Sequence, residues 1–370
     1  MKRLSCILLA LCMLLCLALP TVAADATPFD ASVSAVMSGV AASVGTDTAG
    51  AAAVVYKNGA LIMADGFGYA DLGAKTLVTA ATVFEIGDLS ALFVTLSALQ
   101  LQERGLLSLD ADIAEYLSVD LIAKLSLTYP VTVRQLLSGK AGFGGRIFDL
   151  SFDKESHTFE TLEEALLADV PTQIAVPDTV RIPSPFGVAL AALVVEVLAG
   201  VPYDTYLTER ILTPLGMTNT LPRVGKTAPT GYAVGYVAAE QGNFTAPYGG
   251  GRTYSGLYPA TGALSTAGDL GKLVSWLFGE SDTVLTKTAR AAFFDFHSGA
   301  TKGSTACFGA SLVLAPERSE AVLVLTNTAG GEPLGAPRDP SSRGHHGDRA
   351  PRGRNARAQG SARHLRPCDP

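Results

Sequence analysis

The run from Phe84 to Arg104 constrains this chain more than any other stretch. Apolar residues fall at Leu89, Leu92, Phe93, Leu96, Leu99 and Leu101, a spacing that stacks them on successive turns of an α-helix. Asp88 stands where a capping carboxylate would accept from the first free N–H groups, and Gly105 where a helix stop is expected. Ahead of this run, Ala51 to Tyr56, Lys57-Asn58-Gly59 and Ala60 to Phe67 read as a β-hairpin, because both turn positions need positive φ and Asn-Gly supplies it. Behind it, Phe186 to Leu198 reads as an apolar helix stopped by Gly200. Tyr203 to Leu212 reads as a second helix, ended by Pro214-Leu215-Gly216-Met217. Phe308 to Leu314, a turn at Pro316-Glu317-Arg318 and Ala321 to Thr326 read as a closing hairpin.

Both ends of the chain differ from its middle. Met1 to Ala24 has the order of a secretory signal: Lys2 and Arg3, an apolar Leu4 to Leu19, then Val22-Ala23-Ala24 as a cleavage site. The apolar core is short of the about 20 residues that a membrane-spanning helix needs. Cleavage and a secreted or extracytoplasmic location are therefore expected, with no membrane span afterwards. From Ala336 to Pro370 there are eight Arg, a single Leu, and no Val, Ile, Met, Phe, Tyr or Trp. Such a segment cannot bury enough apolar surface to order itself, and the abrupt shift reads as a disordered or frameshifted end. Residues 25–335 remain as one large domain or two intergrown lobes.

That region carries 18 basic and 31 acidic residues with no basic stripe, which excludes a nucleic-acid partner. Cys6, Cys12 and Cys16 leave with the signal, and Cys307 and Cys368 alone make no disulfide framework. His157, His345, His346 and His364 lack metal-ligand spacing, so neither metal nor cofactor is expected.

Several short motifs follow one another in a telling order: Phe84-Glu85-Ile86-Gly87, Leu107-Ser108-Leu109-Asp110, Val131 to Leu137, Pro177-Asp178-Thr179, Pro214 to Met217, and Tyr258 to Lys272. Together they resemble the serine β-lactamase and penicillin-binding protein superfamily, closest to class C β-lactamase-like serine hydrolases, from about Gly50 to Asn327. The resemblance implies an α+β fold of three layers, an antiparallel sheet flanked by helices, with an inserted and mostly helical lobe. It implies acyl transfer or hydrolysis on β-lactams, D-alanyl peptides or esters. A small molecule or cell-wall peptide is then the expected ligand, and the oligomeric state is left open.

The same resemblance marks what is missing. The family writes F-x-I-G-S-x-S-K-x-F-T at the helix start, and here the Ser position reads Asp88 and the Lys position Ala91. Where the family has Y-S-N with Tyr as base, this chain has Pro183-Ser184-Pro185, and proline has no phenol. The H-T-S-G loop becomes Gly139-Lys140-Ala141-Gly142. His297-Ser298-Gly299 resembles the H/K-T/S-G motif on the strand bordering the cleft. His297, Ser298, Gly299 and Ser184 are accordingly the expected substrate-binding residues. His297 is expected to face Asp88 and to be held protonated by it.

Serine acyl transfer needs a hydroxyl nucleophile, a base and oxyanion donors, and Asp88, Ala91 and Pro183 remove the first two. A catalytically silent copy is the expectation. The alternatives are a binding pseudoenzyme for a cell-wall peptide or protein partner, a decayed gene product, and a hydrolase with a rewired nucleophile. For the last, Ser90 lies about 200° round the helix from Asp88. Ser151-Phe152-Asp153-Lys154 is a literal S-x-x-K, and Lys140 is a substitute base.

Overall fold

A computed structural model describes residues 28–144, 159–225, 227–238 and 242–329. The N-terminal signal, the S-x-x-K at 151–154, His157 and the Arg-rich tail lie outside the described residues. In chain order the first elements are α1 (Pro28–Ser43), β1 (Gly50–Lys57), β2 (Ala60–Asp71), β3 (Thr76–Leu77) and β4 (Val83–Glu85). Then come α2 (Ala91–Glu103), α3 (Val119–Leu125), α4 (Val133–Ser138), α5 (Leu162–Leu167), α6 (Pro185–Ala199) and α7 (Tyr203–Leu207). They are followed by β5 (Tyr236–Ala238), β6 (Phe244–Thr245), α8 (Tyr258–Thr261), β7 (Leu264–Thr266), α9 (Ala267–Phe278) and α10 (Lys287–Ala291). The last are β8 (Gly299–Ser304), β9 (Gly309–Ala315), β10 (Glu320–Thr326) and β11 (Thr328–Ala329).

The main sheet runs β3-β2-β1-β10-β9-β8 with every pair antiparallel. Asn58 and Gly59 take φ of 52° and 80° in the first hairpin turn, the left-handed geometry that lets a two-residue loop follow the strand twist. β1 is buried from Gly50 to Tyr56, because both of its faces are covered. Val40 of α1 packs on Ala51, Ala53 and Val324 on one side. On the other, Ala52, Val54 and Tyr56 enter the large core, where α9 lies against β1, β2 and β10. Burial on both faces explains why β1 reads as an unbroken run of small and β-branched residues rather than an alternating one. The result is the expected α+β arrangement, helix on sheet on helix, with a helical lobe inserted between β4 and β7.

α6 is the centre of that lobe, contacting α2, α4, α5, α7 and α8. The Ser184 hydroxyl caps it by accepting from the Gly187 N–H (3.3 Å), and Gly200 ends it at φ 70°. α2 is more deeply enclosed than its apolar stripe predicts: every residue from Leu92 to Leu99 is buried. Its two hydroxyls tolerate this by turning back on the helix. Thr95 Oγ1 donates to the Ala91 carbonyl (3.1 Å) and Ser97 Oγ to that of Phe93 (2.8 Å), so no donor is left unpaired. Among the described residues no single helix is long and apolar enough to cross a membrane.

Candidate functional site

β4 delivers the chain to a tight 3-10 turn, Gly87–Ser90, from which α2 continues. Asp88 is the second residue of this turn and not an N-cap, which corrects the expectation for it. The turn closes through its own backbone, Leu89 N–H to Ile86 C=O at 3.2 Å, and α2 begins with no side-chain cap. β8 runs directly against the turn. A Cβ on Gly87, which sits at φ +52°, would stand 2.5 Å from the Ser304 nitrogen, and one on Gly303 would stand 2.9 Å from the Asp88 nitrogen. Two glycines therefore allow backbone to touch backbone.

That contact aims two N–H groups at one point. The Ser304 N–H and the Asp88 N–H both face the Asp88 carboxylate and pull its pKa down. Its outer face stays exposed, yet the surrounding protein strips away enough water to raise its pKa, against the pull of those two donors. Asp88, which the resemblance puts at the family's nucleophile position, lies at this contact. Its own carboxylate occupies the pair of N–H donors that point there.

The strand motif falls elsewhere than the resemblance implied. Ser298 and Gly299 are exposed at the far end of β8, and Gly299 lies about 13 Å along the strand from Gly303. His297 is buried before the strand begins, its Nε2 2.8 Å from Thr95 Oγ1 and its ring 4.8 Å from that of Phe293. Thr95 lies about 10 Å along the helix from Asp88, so His297 does not pair with it. Nor is His297 held protonated: burial first, and the charge of Arg181 second, lower its pKa to about 4.

Since side chains alternate along a strand, Thr301 shares the face of Gly303 toward the turn and Lys302 points the other way. The segment of β8 beside the turn is therefore Thr301-Lys302-Gly303. β8 is set in this place by its register with β9, which pairs Thr301 with Leu312 and Gly303 with Ala310.

The remaining expected residues are placed as follows. Ala91 is half-buried at the start of α2. Pro183 is exposed and backs onto Gly139, where an added Cβ would lie 3.2 Å from the Pro183 Cα. Ser184 is buried and engaged as the α6 cap. Ser90 is buried too: its hydroxyl donates to the Gly87 carbonyl (2.6 Å) and accepts from the Ala263 N–H (3.1 Å), so it holds the turn to the residue before β7. Lys140 is exposed. Asp178 adopts φ 64° where the family's P-G-T has glycine, and its carboxylate accepts from Gln135 Nε2 at 2.5 Å. No group of His, Cys, Asp or Glu among the described residues has the arrangement of a metal site.

Sequence reasoning overlooked Glu85, although a carboxylate between Phe84 and Ile86 in an apolar strand is itself a signal. It is buried, and accepts from Tyr232 Oη (2.7 Å), the Thr253 N–H (2.8 Å) and the Thr253 hydroxyl. Burial raises its pKa in spite of these donors. The three bonds tie β4, and so the Asp88 turn, to two loops far away in sequence.

The buried imidazole yields a pH test. His297 stays neutral in the folded state down to about pH 4, whereas in the unfolded chain it takes a proton near 6.5. Between those values the unfolded chain binds more protons, so lowering the pH from 6.5 to 4 removes at most about 3 kcal/mol of stability. Glu85 and Asp88, with raised values, act in the opposite direction and lose stability as pH rises through and above the ordinary carboxylate range. Denaturant unfolding of the native chain and His297→Gln from pH 7 to 4 separates the two. The native chain is expected to lose stability on acidification that the variant keeps, and parallel curves would contradict the assignment.

Comparison with known proteins agrees with the architecture. Residues 33–347 match the family described as Beta-lactamase. Over 152 residues the chain is 33% identical to penicillin-binding protein 4 of Amycolatopsis lactamdurans, covering 40% of this chain and 39% of that protein. It spans about two fifths of the length of the curated relatives it matches. An octameric penicillin-binding protein homologue from Pyrococcus abyssi superposes with a TM-score of 0.68 at 21% identity, covering 83% of this chain and 75% of that one. A class C β-lactamase mutant superposes with a TM-score of 0.64 at 19% identity, over 84% of this chain and 95% of that one. With the fold, the motif order and a family match over most of its length in agreement, the chain belongs to the β-lactamase family.

Proposed function

We propose that this chain is a catalytically silent member of its family, exported from the cytoplasm, whose remaining activity is non-covalent binding of a small molecule or cell-wall peptide. The observation that carries this reading is the Asp88 carboxylate seated on the Ser304 and Asp88 N–H groups. In acyl transfer such donors act on the charge that develops on a substrate carbonyl, and here a permanent anion already holds them. Ala91 and Pro183 offer no base, Thr301 no cation, and the Ser90 hydroxyl is consumed by the turn. The export reading rests on Lys2, Arg3, the Leu4–Leu19 run and Val22-Ala23-Ala24.

A seated carboxylate also repels the carboxylate that β-lactams and D-alanyl peptides carry. Calorimetry with benzylpenicillin is expected to show weak binding by the native chain. Asp88→Ala frees both N–H groups and removes the repulsion, and is expected to tighten binding by about tenfold or more, about 1.4 kcal/mol. Tight binding by the native chain, or equal binding by both, would count against the reading.

A further inference from the structure

One cavity among the described residues lies away from the Asp88 turn. It encloses about 470 Å³, within the about 300–1,000 Å³ of small-molecule sites. Neither Asp88, Ala91, Pro183 nor Ser304 lines it. Its walls come from the start of α5, the end of α6, the start of α7 and the segment leading into α8.

Its charge is one-sided. Among the described residues, Glu160, Glu196 and Asp204 line it against one cation, Arg223. Glu196 is half-buried, and one of its oxygens accepts from the Tyr203 N–H at 2.9 Å. Burial raises its pKa, and the like charges of Asp204 and Glu163 add to that. A concave site with an excess of one sign concentrates ligands of the other.

Arg223 displays how a cation seats there. Its Nη2 lies 2.8 Å from Asp204 Oδ2, and its guanidinium carbon 4.9 Å from the centre of the buried Tyr258 ring. Acid on one side and aromatic face on the other is the chemistry that recognises guanidinium and ammonium groups. The Arg223 side chain is itself 53% exposed while that of Asp204 is 23% exposed. The arm that fills the position is thus a surface arm, and exposed ion pairs contribute little. A soluble cation can take its place at small cost.

We propose that this cavity binds an organic cation, a guanidinium or primary ammonium on a short stem, at the position that Arg223 occupies in its absence. Asp204 and the Tyr258 ring hold the charged end, and Glu196 supplies the remaining negative potential. The proposal stands apart from the catalytic silence of the Asp88 turn, and either can fail without the other.

The test uses the full chain and calorimetric titration with Nα-acetyl-arginine amide, its uncharged citrulline counterpart, and Nα-acetyl-aspartate amide. The arginine probe is expected to bind and the other two not. Removing the resident arm with Arg223→Ala should tighten the arginine probe by about fivefold, because the competent fraction of sites rises. Asp204→Asn and Glu196→Gln, both isosteric, should each weaken it about tenfold or more, with thermal unfolding reporting that the variants are folded. No binding of the arginine probe to the native chain or Arg223→Ala would overturn the proposal. So would equal binding of the citrulline probe, preference for the aspartate probe, or an unchanged affinity in folded Asp204→Asn.

Discussion

Asp88→Ser combined with Ala91→Lys leaves the chain without useful hydrolysis of a chromogenic cephalosporin, and adding Pro183→Tyr is the step that raises turnover. The first two changes restore a hydroxyl and a cation one turn away, and Asp88→Ser also empties the Ser304 and residue-88 N–H groups for a substrate oxygen. They do not restore the phenol that the resemblance expects at Pro183, which is exposed just before the α6 cap. In subtilisin, loss of a serine nucleophile costs about 2 × 10⁶ in turnover, and members of such a unit act non-additively. That factor corresponds to about 9 kcal/mol of barrier. The gain should therefore come almost entirely with the third substitution. The triple variant should still trail an intact enzyme, because Thr301, on the strand face toward the turn, brings no cation. Substantial hydrolysis by the double variant would show that these roles are wrongly ordered.

Arg290→Ala has the largest expected effect on stability. Arg290 is almost wholly buried, and its guanidinium donates to the carbonyls of Trp276 (2.8 Å), Ser281 (2.7 Å) and Gly279 (2.7 Å). It also lies 4.9 Å from the centre of the Trp276 ring. These carbonyls belong to the end of α9 and the loop beyond, so one side chain closes the C-terminus of the helix that backs the sheet. Removing it leaves three acceptors buried beside a cavity. Breaking a buried charged network of this kind costs about 3–5 kcal/mol, or about 10 °C in a domain of this size. Arg290→Lys should recover only part of this, since an ammonium cannot match the planar fork. Thermal unfolding checks both, and an Arg290→Ala midpoint within about 2 °C of the native one would contradict the role.

How much of this was legible in the sequence depends on whether a local signal was decisive. Asn58-Gly59 fixed a hairpin because only one turn geometry suits it. Gly105 and Gly200 marked helix ends for equally local reasons. Asp88 was misjudged as a cap because the sequence does not distinguish a helix N-terminus from a 3-10 turn entering it. The choice is made by β8, more than 200 residues away, pressing Ser304 against Gly87. His297-Ser298-Gly299 matched a motif by letter, but the strand register that places Thr301 and Gly303 beside the turn is a property of the β8–β9–β10 sheet. Arg290 could not be read at all, since its three partners are backbone carbonyls and carry no side-chain signature.

No group of this chain is expected to attack an acyl donor. Intact-mass analysis after prolonged incubation of the full-length protein with a fluorescent penicillin, and separately with a fluorophosphonate, tests it most directly. The account predicts an unchanged mass in both cases, while a stoichiometric adduct on any serine would contradict it.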